Sequence, residues 1–255
     1  MERKIKLIIE YDGTDFAGWQ SQKNARTVQD VLTDAMKKLF QQNLRCVGAG
    51  RTDSGVHAEG QVVHFVATKN LSPERIVKGL NSYLPEDVSV LSAEEVPMEF
   101  HARRNAIQRW YRYRILNRQT PPAIERRFVA YIPYKLNLEL IKKATKILEG
   151  KHNFSAFRNI GCTATRTILH LEPIDLTIDG DYIALDFKCR SFLYNMVRII
   201  VGLLIEIGRK KLPLSIIEEM FETGVRSAHI PTAPPQGLTL MSVLYSSDAS
   251  NKKIK

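Results

Sequence analysis

Residues 4–11 alternate, with Ile5, Leu7, Ile9 and Tyr11 on one side and Lys4, Lys6, Ile8 and Glu10 on the other, the period-two pattern of a strand with one mostly polar face. The period then changes. Thr27 with Asp30 reads as a capping box, after which Val28, Val31, Leu32, Ala35, Leu39 and Phe40 line one face of a helix. Ser72 and Pro73 open a second helix carrying Ile76, Val77 and Leu80, and strands are predicted over 61–67 and 88–92. The strand pattern resumes over 110–116 and breaks at Pro121 and Pro122. Asn137 caps a helix with Leu140, Ile141, Ala144 and Leu148 on its apolar face, ending at Gly150. Strands follow over 165–171, 174–178 and 182–188. A long helix is predicted over 193–208, a last one capped by Ser215, and a closing strand over 239–245.

This order implies an α+β protein on a mixed or antiparallel sheet, built from an N-terminal half (1–105), a C-terminal half (106–245) and a polar, frayed tail (246–255). A cleft between the halves is the default place for a site. At 255 residues, with 44% hydrophobic and 25% charged residues, the composition is that of a soluble globular protein. The most apolar run, 196–207, is interrupted by Arg198 and Glu206 and falls short of the roughly 18 apolar residues a membrane span requires. The start of the chain passes from charges directly into a strand pattern, so no leader and a cytoplasmic location are expected.

Charge narrows the partner. Thirty-seven basic residues against 27 acidic ones leave +10, and the stretch 101–127 holds eight arginines against the single Glu125, for +7. Arginine suits phosphate contacts and base stacking, and the competing reading is a solvated charged face. The cysteines, Cys46, Cys162 and Cys189, are far apart and form no CxxC pair, which excludes a disulfide framework and a zinc knuckle. His57, Ala58 and Glu59 spell the HxE of zinc nucleobase deaminases, but that chemistry needs a PCxxC element that the sequence lacks. A P-loop and a GxGxxG are likewise missing, so no metal and no nucleotide cofactor are expected.

Three constellations remain. Residues 48–57, GAGRTDSGVH, enclose Arg51, Asp53 and His57 between glycines just before an apolar strand. Such a loop either presents a carboxylate to a close-approaching nucleic acid or forms a turn in which Asp53 caps its own backbone beside Arg51. The strand RWYRYRI places Tyr111, Tyr113 and Ile115 on one face and Trp110, Arg112 and Arg114 on the other. This is either a base-stacking platform with Arg109, Arg112 and Arg114 on the backbone, or an edge strand with tyrosines in the core. Arg198 interrupts an apolar helix and must either snorkel or meet a carboxylate.

Taken together, IKLIIEYDGTDFAGWQ, RTVQDVL, GAGRTDSGVHAEGQVVHF, FHARRNA, WYRYRI, HNFSAFR, TRTI, SFLYNMVRIIVG and TAPPQGLTL resemble, in order and over nearly the whole chain, the TruA family of tRNA pseudouridine synthases. The sequence departs from the family's usual pattern in SAHIP, before TAPPQGL, and at Thr239. The resemblance implies two similar halves forming a continuous, mainly antiparallel sheet flanked by helices, with a central active-site cleft. It implies an isomerase that converts uridine to pseudouridine at positions 38, 39 and 40 of the tRNA anticodon stem-loop, as a homodimer and without cofactor, after base flipping. Asp53 falls on the family's nucleophile, Tyr111 on its substrate-binding tyrosine and Arg198 on the arginine that pairs with the nucleophile. Arg51 is then expected to touch RNA phosphate or fill the emptied base site, and Arg109, Arg112, Arg114 and His57 to bind substrate. The alternative of another class is a tRNA-binding or RNA-folding protein without chemistry.

Overall fold

In the computed structural model, which describes residues 1–159, 161 and 165–246, the N-terminal alternation becomes strand β1 (Arg3–Tyr11). Leu7 and Ile9 are fully buried there, each contributing roughly 1.5–3 kcal/mol of hydrophobic stabilisation. β1 lies between β3 (His57–Ala67), with Ile8 opposite Val62, and β4 (Val88–Val96), with Ile9 opposite Val90, both antiparallel. The two-residue β2 (Val47–Gly48) pairs with the far end of β3. Helix α1 (Val28–Phe40) begins where the capping box predicts, the Thr27 hydroxyl accepting from the Asp30 N–H, and packs Phe40 edge-on against Phe65 at 5.3 Å. Helix α2 (Pro73–Asn81) is capped by Ser72 and buries Ile76 and Leu80.

Strand β5 (Ala106–Leu116) carries the chain into a second unit, where the sheet order is β5, β10 (Tyr182–Cys189), β8 (Ile168–Leu171), β7 (Gly150–Asn153). β9 (Asp175–Asp179) pairs with β10, and the short β6 (Ala130–Tyr131) runs parallel to β5. Helix α3 (Leu138–Leu148) is capped by Asn137, whose side chain accepts from the Leu140 N–H. Helix α4 (Met196–Gly208) buries every residue except Arg198, and its Gly208 lies against Ile141 of α3. Helix α5 (Ser215–Thr223) follows. The architecture is α+β, with mostly antiparallel strands flanked by helices.

The chain divides into one unit of Met1–Arg109 with Thr239–Lys255 and another of Trp110–Leu238. The closing strand β11 (Leu238–Tyr245) thus leaves the C-terminal half to which chain order assigns it. It pairs parallel with β3, Thr239 opposite His57 and Leu240 opposite Ala58. Local differences have local causes. Asn195 stands in the left-handed region at φ 61°, so α4 starts at Met196 and Leu193 lies before the helix. Ser215 is the first helical residue of α5, and the cap position falls to Leu214, which makes no side-chain bond. Cys46 and Cys189 are buried, the Cys189 thiol donating to His170 O (3.1 Å), and burial pushes the Cys46 thiol up. Cys162 and the tail from 247 lie outside the described residues, among which no helix is long and apolar enough to cross a membrane.

One buried group makes the first unit sensitive to acid. His64 of β3 accepts the Ala102 N–H at Nδ1 (3.2 Å), with the His101 ring 4.9 Å away. Burial, then the charges of His101 and Lys4, hold it down to about 4, below the ordinary 6.5. Between these values the unfolded chain takes up a proton that the folded chain refuses, so stability is complete above pH 6.5 and falls as the pH drops towards 4. Urea midpoints measured across that window should decline for the parent protein and decline less for His64→Gln. Equal slopes in the two would remove His64 as the source.

Candidate functional site

The loop between β2 and β3 is tied down at nearly every residue. The Ala49 N–H donates to Val62 O (2.8 Å), and Gln61 Nε2 donates to Gly50 O (3.0 Å). Thr52 is buried, its hydroxyl bonded to the Tyr11 hydroxyl (2.8 Å) and its carbonyl accepting the Trp19 N–H (3.0 Å). The Ser54 hydroxyl and the Gly55 N–H both donate to Phe16 O, at 3.1 and 3.3 Å. The Val56 N–H closes a turn on Asp53 O (3.1 Å), with Gly55 at φ 76°, a backbone angle a Cβ would strain. The loop is therefore a turn in its backbone, closed through the carbonyl of Asp53. That side chain is half-buried, and Arg51 is exposed.

Sequence reasoning missed the platform under this loop. Tyr11, Phe16 and Trp19 are all buried, the Tyr11 and Trp19 rings lie 6.4 Å apart, and Arg26 stacks over Phe16 at 4.0 Å. The available signal was three aromatic residues within nine positions, continuing past a strand into a segment rich in turn formers. Gln61 was missed too, because on β3 it reads as one more strand position.

The structure gives His57 and Arg109 work other than touching RNA. His57 is the first residue of β3 and only 2% exposed. Its Nδ1 accepts the Gly13 N–H at 3.0 Å and lies 3.1 Å from Asp12 Oδ1, so it joins the loop to residues 12–13. Arg109, 7% exposed, donates from Nε and Nη2 to Ala49 O (3.2 and 2.5 Å) and from Nη2 to Arg103 O (3.1 Å). A guanidinium enclosed in this way serves backbone carbonyls. Beside it, Arg103 and Arg104 are exposed, their N–H groups both donating to His101 Nδ1.

In the second unit, β5 has the expected two faces. Tyr111, Tyr113 and Ile115 are buried, and Trp110, Arg112 and Arg114 are half-buried. Tyr111 meets Phe192 edge-on, with centroids 5.2 Å apart. Tyr113 donates to Pro234 O (2.8 Å), and burial pushes its phenol well up against the opposing influence of Arg198. Arg198, near the start of α4, donates to Ala233 O (2.8 Å) and Asn195 Oδ1 (3.0 Å). On the opposite face, Arg112 forms a two-pronged pair with Asp186 (2.9 and 2.9 Å), which also accepts from Trp110 Nε1 (2.7 Å). Arg114 pairs with Glu125 at 2.9 Å and stacks on Tyr182. Arg112 and Arg114 are thus committed within their own unit, on the face that Tyr111 does not share.

The first unit brings Asp53, Arg51, His57 and Arg109 together around one loop, and the second gathers Tyr111, Tyr113, Phe192 and Arg198 around β5 and the start of α4. Among the described residues, no three His, Cys, Asp or Glu side chains are grouped as metal ligands. A family model described as tRNA pseudouridine synthase matches residues 7–104 and 144–246. The chain is 41% identical over 243 residues to "tRNA pseudouridine synthase A" of Thermoanaerobacter sp. (strain X514), covering 95% of this chain and 100% of the relative. It is 42% identical over 243 residues to the protein of the same name from Geotalea daltonii, with the same coverage. A third relative of that name, from Citrifermentans bemidjiense, is 42% identical over 244 residues, 95% of this chain and 98% of the relative. A match over most of the chain, at this identity and along the full length of the relatives, means that the chain belongs to the TruA family of tRNA pseudouridine synthases.

Proposed function

We propose that this protein isomerises uridine to pseudouridine at positions 38, 39 and 40 of the tRNA anticodon stem-loop, with Asp53 as nucleophile. Synthesis of pseudouridine in tRNA follows from the family and from its relatives' names. The assignment to Asp53 is supported by one observation above the others: the Tyr11, Phe16 and Trp19 platform immobilises the loop on both sides of residue 53. A surface turn has no use for so many tethers, whereas a nucleophile needs a fixed approach.

The reaction breaks the C1′–N1 bond, turns the uracil and joins C5 to C1′. N1 gains a proton and C5 loses one, so substrate and product are isomers. The target base must first leave the stack, and we assign its stacking partner to Tyr111, a contact worth roughly 1–3 kcal/mol. The Asp53 carboxylate then adds, either at C1′ with departure of the uracil N1 or at C6 of the ring. It leaves again, displaced from C1′ by C5 or eliminated from C6, as C5 joins C1′ and gives up its proton. Arg198 supplies the counter-charge that keeps a nucleophilic carboxylate ionised, and the exposed Arg51, Arg103 and Arg104 take RNA phosphates. The working form is a homodimer in the cytoplasm.

The deciding experiment maps carbodiimide-reactive uridines in tRNA after incubation with the protein. Pseudouridine at 38–40 is expected. Modification elsewhere would correct the position, and tRNA binding without modification would make this an RNA-binding protein. Arg198→Ala should lower the single-turnover rate about 10²-fold, in the range found when one charge-stabilising donor is removed. An unchanged rate in a folded variant would refute the counter-charge role.

A further inference from the structure

The loop that carries Asp53 leaves β2 through two consecutive carbonyls, and each is held by a buried side chain from a different strand. Arg109 of β5 places Nε and Nη2 on Ala49 O, and Gln61 of β3 places Nε2 on Gly50 O (3.0 Å). Gln61 is fully buried, and its Oε1 has no hydrogen-bond partner among the described residues. An unmet buried acceptor costs stability that an apolar side chain of the same shape would not. What Gln61 supplies is therefore its hold on Gly50. Arg109 reaches further, because Nη2 also donates to Arg103 O (3.1 Å) and so ties the exposed Arg103 and Arg104 to the same loop.

We infer that Arg109 and Gln61 are positioning residues of the isomerisation, holding the carbonyls of Ala49 and Gly50 so that Asp53, three residues beyond Gly50, presents its carboxylate in one place. The inference rests on the nucleophile reading of Asp53. It replaces the expectation that Arg109 contacts RNA. A lysine can replace an arginine at a phosphate, where charge is what counts, but it cannot reproduce a planar fork that reaches two carbonyls at once.

The test compares Arg109→Lys, Gln61→Met and Asp53→Asn with the parent protein. Single-turnover rates at saturating tRNA, tRNA affinity across a salt series and thermal midpoints are measured for each. Arg109→Lys should be about 10- to 100-fold slower, as expected for a group displaced by about 1 Å, with affinity and salt slope unchanged. Gln61→Met should be about 5- to 10-fold slower with a thermal midpoint close to the parent's, because removing the unmet Oε1 offsets the loss of the bond to Gly50 O, and a rate loss without a matching loss of stability is an outcome that a merely structural role would not produce. Either variant at the parental rate overturns the inference. So does an Arg109→Lys defect confined to affinity with a salt slope lower by about 1, the mark of a lost phosphate contact. If Arg109→Lys does not fold, Gln61→Met decides alone. A parental rate in Asp53→Asn would instead sink the nucleophile reading itself, and an inactive Asp53→Asn beside fully active positioning variants would sink only the inference.

Discussion

Asp53→Asn should lose pseudouridine formation by about 10⁴-fold or more under single-turnover conditions, the scale on which removing a nucleophile acts, while binding tRNA within about threefold of the parent. The substitution isolates chemistry because the loop's closure runs through the backbone of residue 53. The Val56 N–H donates to its carbonyl, and hydrogen bonds of Ala49, Gly50, Thr52, Ser54 and Gly55 hold the chain on either side. Asparagine keeps that carbonyl and nearly the same volume but offers an amide that does not add to carbon. Asp53→Glu sharpens the test, since it keeps the carboxylate and displaces it by one methylene. With the loop held on Phe16 and Trp19 the backbone has little room to compensate, and about 10²-fold should be lost. Parental product levels from fresh Asp53→Asn would end the nucleophile assignment, and parental levels from Asp53→Glu would end the claim that the loop is rigid.

What the sequence discloses about this fold divides by the range of the interactions involved. Thr27, Ser72 and Asn137 announce their helices because each cap bonds an N–H only three residues on. Ser215 imitates them, and the first turn it was expected to cap starts at Ser215 itself, because residues 213 and 214 already supply the carbonyls for Ile216 and Ile217. Leu193 fits the apolar stripe of α4, yet Asn195 turns left-handed, and an apolar period cannot report a backbone angle. The start of β3 is hidden by Glu59 and Gly60, which break the alternation. β11 joins the first unit through parallel pairing with β3, a contact across nearly the whole chain to which chain order is blind.

The site divides in the same way. Asp53, Tyr111 and Arg198 are proposed for the site because the sequence places them in motifs shared with a family. Arg109 and His57 carry the same residue types, and composition assigns them to RNA, whereas burial assigns them to the scaffold. Gln61 gave no local signal, and three aromatic residues within nine positions announce a cluster without its place under residues 48–57, because that arrangement exists only once β1, β3 and residues 48–57 have met.

Gly202→Ala should destabilise the protein by about 3 kcal/mol and lower its thermal midpoint by roughly 6–12 °C, against the sign that helix propensity gives. In an ordinary helix interior the change gains up to about 1 kcal/mol. Here a Cβ on Gly202 would stand 1.9 Å from Pro231 O and 3.0 Å from its carbonyl carbon, so backbone must move. Neither side is free to yield. α4 is buried at every residue but Arg198. The facing segment is bound by the Ala233 N–H to Arg198 O (3.0 Å), Arg198 Nε to Ala233 O (2.8 Å), Arg226 to Ile230 O and Thr232 Oγ1 (2.7 and 2.9 Å) and Tyr113 to Pro234 O (2.8 Å). Any shift that relieves the overlap pulls on Arg198 or on Tyr113, so the single-turnover rate should fall along with stability, even at temperatures where the variant is folded. Thermal unfolding and rate measured on the same preparation separate the two effects. A midpoint at or above the parent's would mean that residues 231–233 can leave α4 at little cost, and Arg198 would then lack the fixed anchor that the counter-charge role proposed for it requires.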